Sequence, residues 1–184
     1  MLFRSFLDPS VQARLIGSVA GAGPLRVVGN LPYNVASPIL FSLVDLFAAG
    51  VPFADATVML QREVADRLLA SPGTKTYGAM TILIGHNARV ERLLNLPAGA
   101  FRPAPKVLSS VVRLTFRSPE PAVRDVEVFR TLVQTAFSRR RKTVANAIQG
   151  LSVSRAFPGW LDPRRRPETL SIAEFARLAD DFSR

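Results

Sequence analysis

The chain has 184 residues, 48% hydrophobic and 21% charged, with ordinary Gly and Pro usage; it can bury a real core, and a disordered, collagenous or low-complexity polypeptide is excluded. Lys and Arg outnumber Asp and Glu by 24 to 14, a formal net charge of +10, and so large a surplus in a short chain favours a polyanionic partner, nucleic acid first. With no cysteine and the single histidine His86, disulfides, thiol catalysis and Cys- or His-cluster metal sites are excluded, and no metal is expected.

Met1 to Pro9 contains no apolar run of signal-peptide length, and the most apolar later stretch, Val35 to Ala49, is interrupted by Pro38 and Asp45. A cytoplasmic protein away from membranes is expected. Leu25-Arg26-Val27-Val28-Gly29 is a short apolar run between Gly-Pro and Asn30-Leu31-Pro32, the pattern of a buried parallel strand ending in a loop. Ser37 and Pro38 then open a predicted helix, with Ile39, Leu40, Leu43, Leu46 and Phe47 at helical spacing until Gly50. Ala56 to Leu60 reads as a second buried strand, and Arg62 to Ala70 as a helix stopped by Ser71-Pro72-Gly73. Within it Glu63 and Asp66 read as carboxylates near the positive end of the helix dipole rather than as an acid/base pair.

Tyr77 to Ile84 is predicted helical, and Arg89 to Leu96 and Val107 to Phe116 carry the alternation and β-branched content of two further strands. Beyond Arg117-Ser118-Pro119-Glu120-Pro121 the strand signal stops, and helices are predicted at Val126 to Ser138, Thr143 to Gln149 and Ile172 to Phe182. Strand–helix alternation followed by helices alone predicts an α/β fold, residues 1–117, then a small all-helical domain, residues 122–184. The stretch after Phe116 carries 13 basic and 8 acidic residues, so positive charge is denser in the helical part.

The chemistry concentrates in the loop after the first strand. An exocyclic adenine nitrogen is a poor nucleophile because its lone pair is delocalised into the ring. A neutral amide oxygen and a backbone carbonyl, each accepting one N–H, localise that pair and aim it, which combines orientation with preorganised electrostatics. Asn30 and the Leu31 carbonyl supply these acceptors, Pro32 stiffens the loop, and Tyr33 offers a ring on which a flipped-out base stacks, worth about 1–3 kcal/mol. An ordinary turn after a strand is the plain alternative for the same four residues.

Asn30-Leu31-Pro32-Tyr33-Asn34 resembles the Asn/Asp-Pro-Pro-Tyr motif of S-adenosylmethionine-dependent amino methyltransferases. Phe101-Arg102-Pro103-Ala104-Pro105-Lys106-Val107, with Ser109 to Val112, resembles the later segment of the small-subunit rRNA adenine dimethyltransferases. Phe137 through Arg140-Arg141-Lys142-Thr143 to Asn146 resembles the C-terminal basic helix of that family. The resemblance implies a Rossmann-like methyltransferase sheet and S-adenosylmethionine as methyl donor. It also implies dimethylation of two adjacent adenosines near the 3′ end of small-subunit rRNA during ribosome assembly, by a monomer acting on the assembling small subunit. By the same resemblance Asn30 and the Leu31 carbonyl hold the target amine, Tyr33 and Phe101 sandwich the base, and Asn30 and Pro32 touch the cofactor. Lys106, Arg139, Arg140, Arg141, Lys142 and Asn146 meet RNA.

Members of the family begin with a Gly-rich loop after the first strand and an acidic residue after the second. Neither occurs here, and Gly21-Ala22-Gly23 precedes a strand, as a turn does. The expectation is therefore an incomplete Rossmann-like domain, from a fragment, a mis-called start or a natural truncation, with weak or no methyl transfer by this chain alone. Two alternatives stand beside it: a noncatalytic rRNA-binding assembly factor, and a DNA adenine methyltransferase sharing the base-gripping loop. Phe101 also reads as a core aromatic, Lys106 as solvated, and Arg139 to Lys142 as the exposed face of a helix, although four positives without an acidic neighbour favour phosphate contact. Arg164-Arg165-Arg166 reads equally as a solvated loop or a second phosphate contact. His86 and Trp160 read as structural.

Overall fold

The computed structural model describes residues 6–18, 23–102, 107–151 and 157–183. The chain divides into two compact units, Met1–Leu69 with Asn87–Arg117, and Ala70–His86 with Ser118–Arg184.

The first unit is built on a four-stranded sheet of order β1-β2-β4-β3, with β1 Leu25–Asn30, β2 Phe53–Gln61, β3 Ala88–Leu96 and β4 Ser109–Phe116. β1 pairs parallel to β2, whereas β4 runs antiparallel to both β2 and β3. Helix α1, Pro9–Ser18, precedes β1 and was not foreseen from sequence. It buries no residue, and its apolar residues, Val11, Leu15 and Ile16, make too short a stripe to mark a helix by periodicity.

Helix α2, Ala36–Ala48, joins β1 to β2 and buries Ile39, Leu40, Leu43, Val44 and Leu46. Pro38 stands in its first turn, where a backbone N–H has no intrahelical partner and its loss is harmless. Gly50, at φ +95, ends it in the left-handed conformation that only glycine adopts freely. Ala56, Val58 and Leu60 of β2 lie opposite Leu114, Val112 and Ser110 of β4; directly opposed residues share a face, and all six are buried. Phe116 packs on Phe47 of α2 at 5.3 Å and on Phe53 at 5.5 Å between ring centroids. Helix α3, Arg62–Leu68, follows β2 directly. Its carboxylates form ion pairs, Glu63 with Arg67 and Asp66 with Arg92 on β3.

The second unit contains α4 Ala79–Gly85, α5 Val126–Ser138, α6 Val144–Ile148 and α7 Ile172–Phe182. Asp125 caps α5 by accepting from the N–H groups of Glu127 and Val128 at 2.8 and 3.1 Å. Ser171 and Glu174 form a reciprocal capping box at the start of α7. Buried Phe129, Leu132 and Val133 of α5 and Phe175 and Leu178 of α7 supply the core, and Phe137 contacts the rings of Tyr77 and Phe175. The buried Tyr77 hydroxyl donates to the Leu170 carbonyl at 2.8 Å, and burial, with the Glu174 charge second, pushes its pKa well above the usual tyrosine value.

The structure departs from the sequence reading in further places. β1 is a parallel strand as expected, but it stands at the edge of the sheet, so none of its residues is buried and Val28 is 82% exposed. Ala70–His86 clusters with the later helices, whereas the sequence places a single boundary at residue 117. The expected helix at Tyr77 begins at Ala79, with Tyr77 before it as a buried anchor. Arg139–Arg141 form a turn after α5 rather than part of a basic helix. Gly21 and Ala22 of the expected turn lie outside the described residues.

Candidate active site

Asn30 is the last residue of β1 and pairs with Met59 of β2. The Leu31 N–H donates to the Met59 carbonyl at 2.9 Å, and the Val35 N–H to the Pro32 carbonyl at 3.1 Å. The loop is thereby tied to β2 on one side and closed by a turn into α2 on the other. Leu31 is buried and anchors it, Asn30 is exposed, and Pro32 is half-buried. Among the described residues none hydrogen-bonds the Asn30 side-chain amide. Its carbonyl oxygen is therefore available to accept an N–H from outside the protein. The site lies at the carboxyl end of a parallel strand, where strand-to-helix loops of α/β sheets bind ligands.

Tyr33 is partly exposed, and its hydroxyl lies 3.0 Å from the Ser109 hydroxyl at the start of β4. β4 stands two strand positions from β1, about 10 Å at the usual spacing. The tyrosine side chain therefore reaches across the carboxyl end of β2. Ser109 is fully buried and was not singled out as a site residue. The only signal in the sequence is a pair of hydroxyl side chains, Ser109-Ser110, just before the valines that open the strand's apolar alternation.

Phe101 follows a short 3-10 turn, Ala98–Ala100, between β3 and β4; it is half-buried, and its N–H donates to the Ala98 carbonyl at 3.3 Å. Among the described residues no ring contact joins it to Tyr33. Lys106 lies outside the described residues.

The basic residues belong to the second unit. Arg139, Arg141 and Lys142 are exposed on the turn after α5, and Asn146 is exposed on α6. Arg140 differs, because its guanidinium donates to the Lys75 carbonyl at 2.8 Å and faces the Glu168 carboxylate at 4.0 Å. The Val144 N–H donates to the Arg165 carbonyl at 2.7 Å. That bond joins the Arg164 to Arg166 loop to the start of α6, beside Lys142. Arg165 itself is bound to the Glu174 carboxylate and the Thr169 carbonyl, and this contact holds the Glu174 carboxyl below its ordinary range. Arg164 and Arg166 stay exposed.

His86 is buried, 2.6 Å from the Pro121 carbonyl through Nε2 and against the Phe129 ring. Trp160 donates to Asp181 at 2.8 Å with the Arg177 guanidinium over its ring. Among the described residues there is no cluster of His, Asp or Glu able to hold a metal ion. No described helix is long and apolar enough to cross a membrane.

The sequence model of the ribosomal RNA adenine dimethylase family matches residues 4–181. The ribosomal RNA small subunit methyltransferase A of Acinetobacter baylyi is 44% identical over 86% of this chain and 58% of its own length. That of Pseudomonas aeruginosa is 43% identical over 86% of this chain and 59% of its own. The chain thus spans about half to three fifths of the length of the curated relatives it matches. The crystal structure of a dimethyladenosine transferase from Plasmodium falciparum superposes with a TM-score of 0.72 at 26% identity, covering 86% of this chain and 67% of that one. The 23S rRNA methyltransferase ErmE, 20% identical with a TM-score of 0.57, shares the fold.

Proposed function

Because the chain belongs to the ribosomal RNA adenine dimethylase family, we propose that it is the target-gripping and RNA-binding part of an rRNA adenine-N6 dimethyltransferase. Its substrate is two adjacent adenosines near the 3′ end of small-subunit rRNA, met as a monomer on the assembling subunit in the cytoplasm. The observation that carries this reading is the exposed Asn30 amide at the carboxyl end of β1, bonded by none of the described residues, followed by a tyrosine held at its hydroxyl.

Asn30 and the Leu31 carbonyl accept the two N–H groups of the adenine amine, which localises its lone pair and points it away from the base plane. Tyr33 and Phe101 take the two faces of the flipped base. S-adenosylmethionine supplies an electrophilic methyl group. Asn30 and Pro32, accessible side by side at the strand end, fit one wall of its pocket. The Gly-rich loop and acidic residue that complete such pockets have no counterpart in these 184 residues. The nitrogen sheds its proton to water once methylated, so no side chain needs to act as a base.

We assign the unit of residues 1–69 and 87–117 to the partial methyltransferase domain, and that of residues 70–86 and 118–184 to the RNA-binding helical domain. Lys106, Arg139, Arg141, Lys142 and Asn146 meet RNA, with Arg140 bracing the turn that presents the basic residues. The test is methyl transfer from labelled S-adenosylmethionine to unmethylated small-subunit rRNA, with dimethyladenosine read by nucleoside mass spectrometry. A chain completed with the cofactor-binding portion of its relatives dimethylates two adjacent adenosines, while the 184-residue chain binds the RNA with weak or no transfer. Tight RNA binding with no cofactor binding by calorimetry even in the completed chain would favour a noncatalytic assembly factor instead.

A further inference from the structure

We propose that Ser109 is a positioning residue, whose buried hydroxyl locks the Tyr33 ring as a preformed platform for the target base. The inference rests on the assignment of Tyr33 to base stacking made above. A buried hydroxyl is costly unless a partner satisfies it, and two hydroxyls of β4, those of Ser109 and Ser110, are fully buried, whereas Thr115 is exposed. Neighbouring strand residues point to opposite faces, and the two serines have different partners. Ser110 donates to the Asn95 side chain on β3 at 2.8 Å, a bond between adjacent strands. Ser109 instead meets the Tyr33 hydroxyl, 76 residues earlier in the chain, on the loop after β1.

A tyrosine ring on a loop otherwise samples several rotamers, and a base stacking on it would have to order the ring at the moment of binding. The Ser109 bond orders the ring in advance. Because the tethered atom is the ring's far end, the bond itself covers neither face of the ring. Ser110, one residue away and equally buried, bonds to Asn95 on β3 instead of to Tyr33, and so separates positioning from strand stability.

The test uses the 184-residue chain and an RNA hairpin with 2-aminopurine in place of one of two adjacent loop adenosines, stacking being read as fluorescence quenching. Ser109→Ala and Tyr33→Phe should each lower the stacked-to-unstacked ratio about 3- to 10-fold, as expected for one hydrogen bond, and the double variant should lower it no further. Ser109→Thr, which keeps a hydroxyl, should retain quenching, and Ser110→Ala should leave it unchanged despite its own loss of stability. Total RNA affinity should move less than about twofold throughout, since phosphate contacts dominate it. Unchanged quenching in Ser109→Ala, or additive losses in the double variant, would overturn the positioning role. Normal quenching in Tyr33→Ala would overturn the assignment of the base to Tyr33 itself.

Discussion

Arg140 donates from Nη2 to the main-chain carbonyl of Lys75 at 2.8 Å, joining the basic turn after α5 to the loop before α4. A residue in the middle of a run of four cations is thus engaged within its own unit. Replacing Arg140 with Ala should lower stability by about 1 kcal/mol, the usual net value of one hydrogen bond. Thermal unfolding measures this, and an Arg140→Ala melting temperature equal to wild type would contradict the bracing role.

Neutralising Arg139, Arg141 and Lys142 together should act on RNA rather than on folding. For each phosphate that no longer meets a cation, the dependence of log K on log salt concentration should flatten by about 0.7–0.9. Filter binding at several salt concentrations gives the slope. An unchanged slope would place the RNA elsewhere.

Asn30→Ala, in a chain completed by the cofactor-binding portion, should reduce kcat at least about 10²-fold, the usual effect of deleting one preorganised polar group beside the reacting atom. RNA affinity should barely change, because the amide touches one base and no phosphate. Single-turnover methyl transfer measured beside equilibrium RNA binding separates the two quantities, and normal turnover would remove Asn30 from the site.

The Glu174 carboxyl, held low chiefly by its hydrogen bond from Arg165, should make the helical unit acid-sensitive. A carboxyl depressed in the folded state contributes stability that is full above its ordinary value of 4.5 and is lost as pH falls through the lower folded-state value. Melting curves from pH 6 downward should show a drop that Glu174→Gln makes shallower. Parallel curves for the two proteins would assign the acid sensitivity to other groups.

Tyr77→Phe removes the donor to the Leu170 carbonyl and leaves that acceptor unpaired in a buried setting. A destabilisation of about 1–3 kcal/mol follows, readable by urea denaturation. The same hydroxyl resists ionisation because it is buried. A group whose pKa is raised in the folded state gives stability present below its ordinary value, 10.0, and lost as pH climbs above it. Wild type should therefore lose stability above pH 10 more steeply than Tyr77→Phe.

The strand β1, its following loop and the helix α5 from Val126 to Ser138 were legible in the sequence because their signals are local. An apolar run meets Asn and Pro, and a helical repeat follows a Pro-containing break. The chemistry of Asn30-Leu31-Pro32-Tyr33 was legible for the same reason, since four adjacent residues carry it. Only the tertiary structure decided that β4 runs antiparallel beside β2, because a two-residue period specifies a strand but neither its neighbour nor its direction. Only it placed Ala70–His86 with the later helices, tied Arg140 to the Lys75 carbonyl while Arg139 and Arg141 stayed exposed, and brought Ser109 to Tyr33 across 76 residues. Those decisions are made by contacts between distant segments, which no local pattern of side chains encodes.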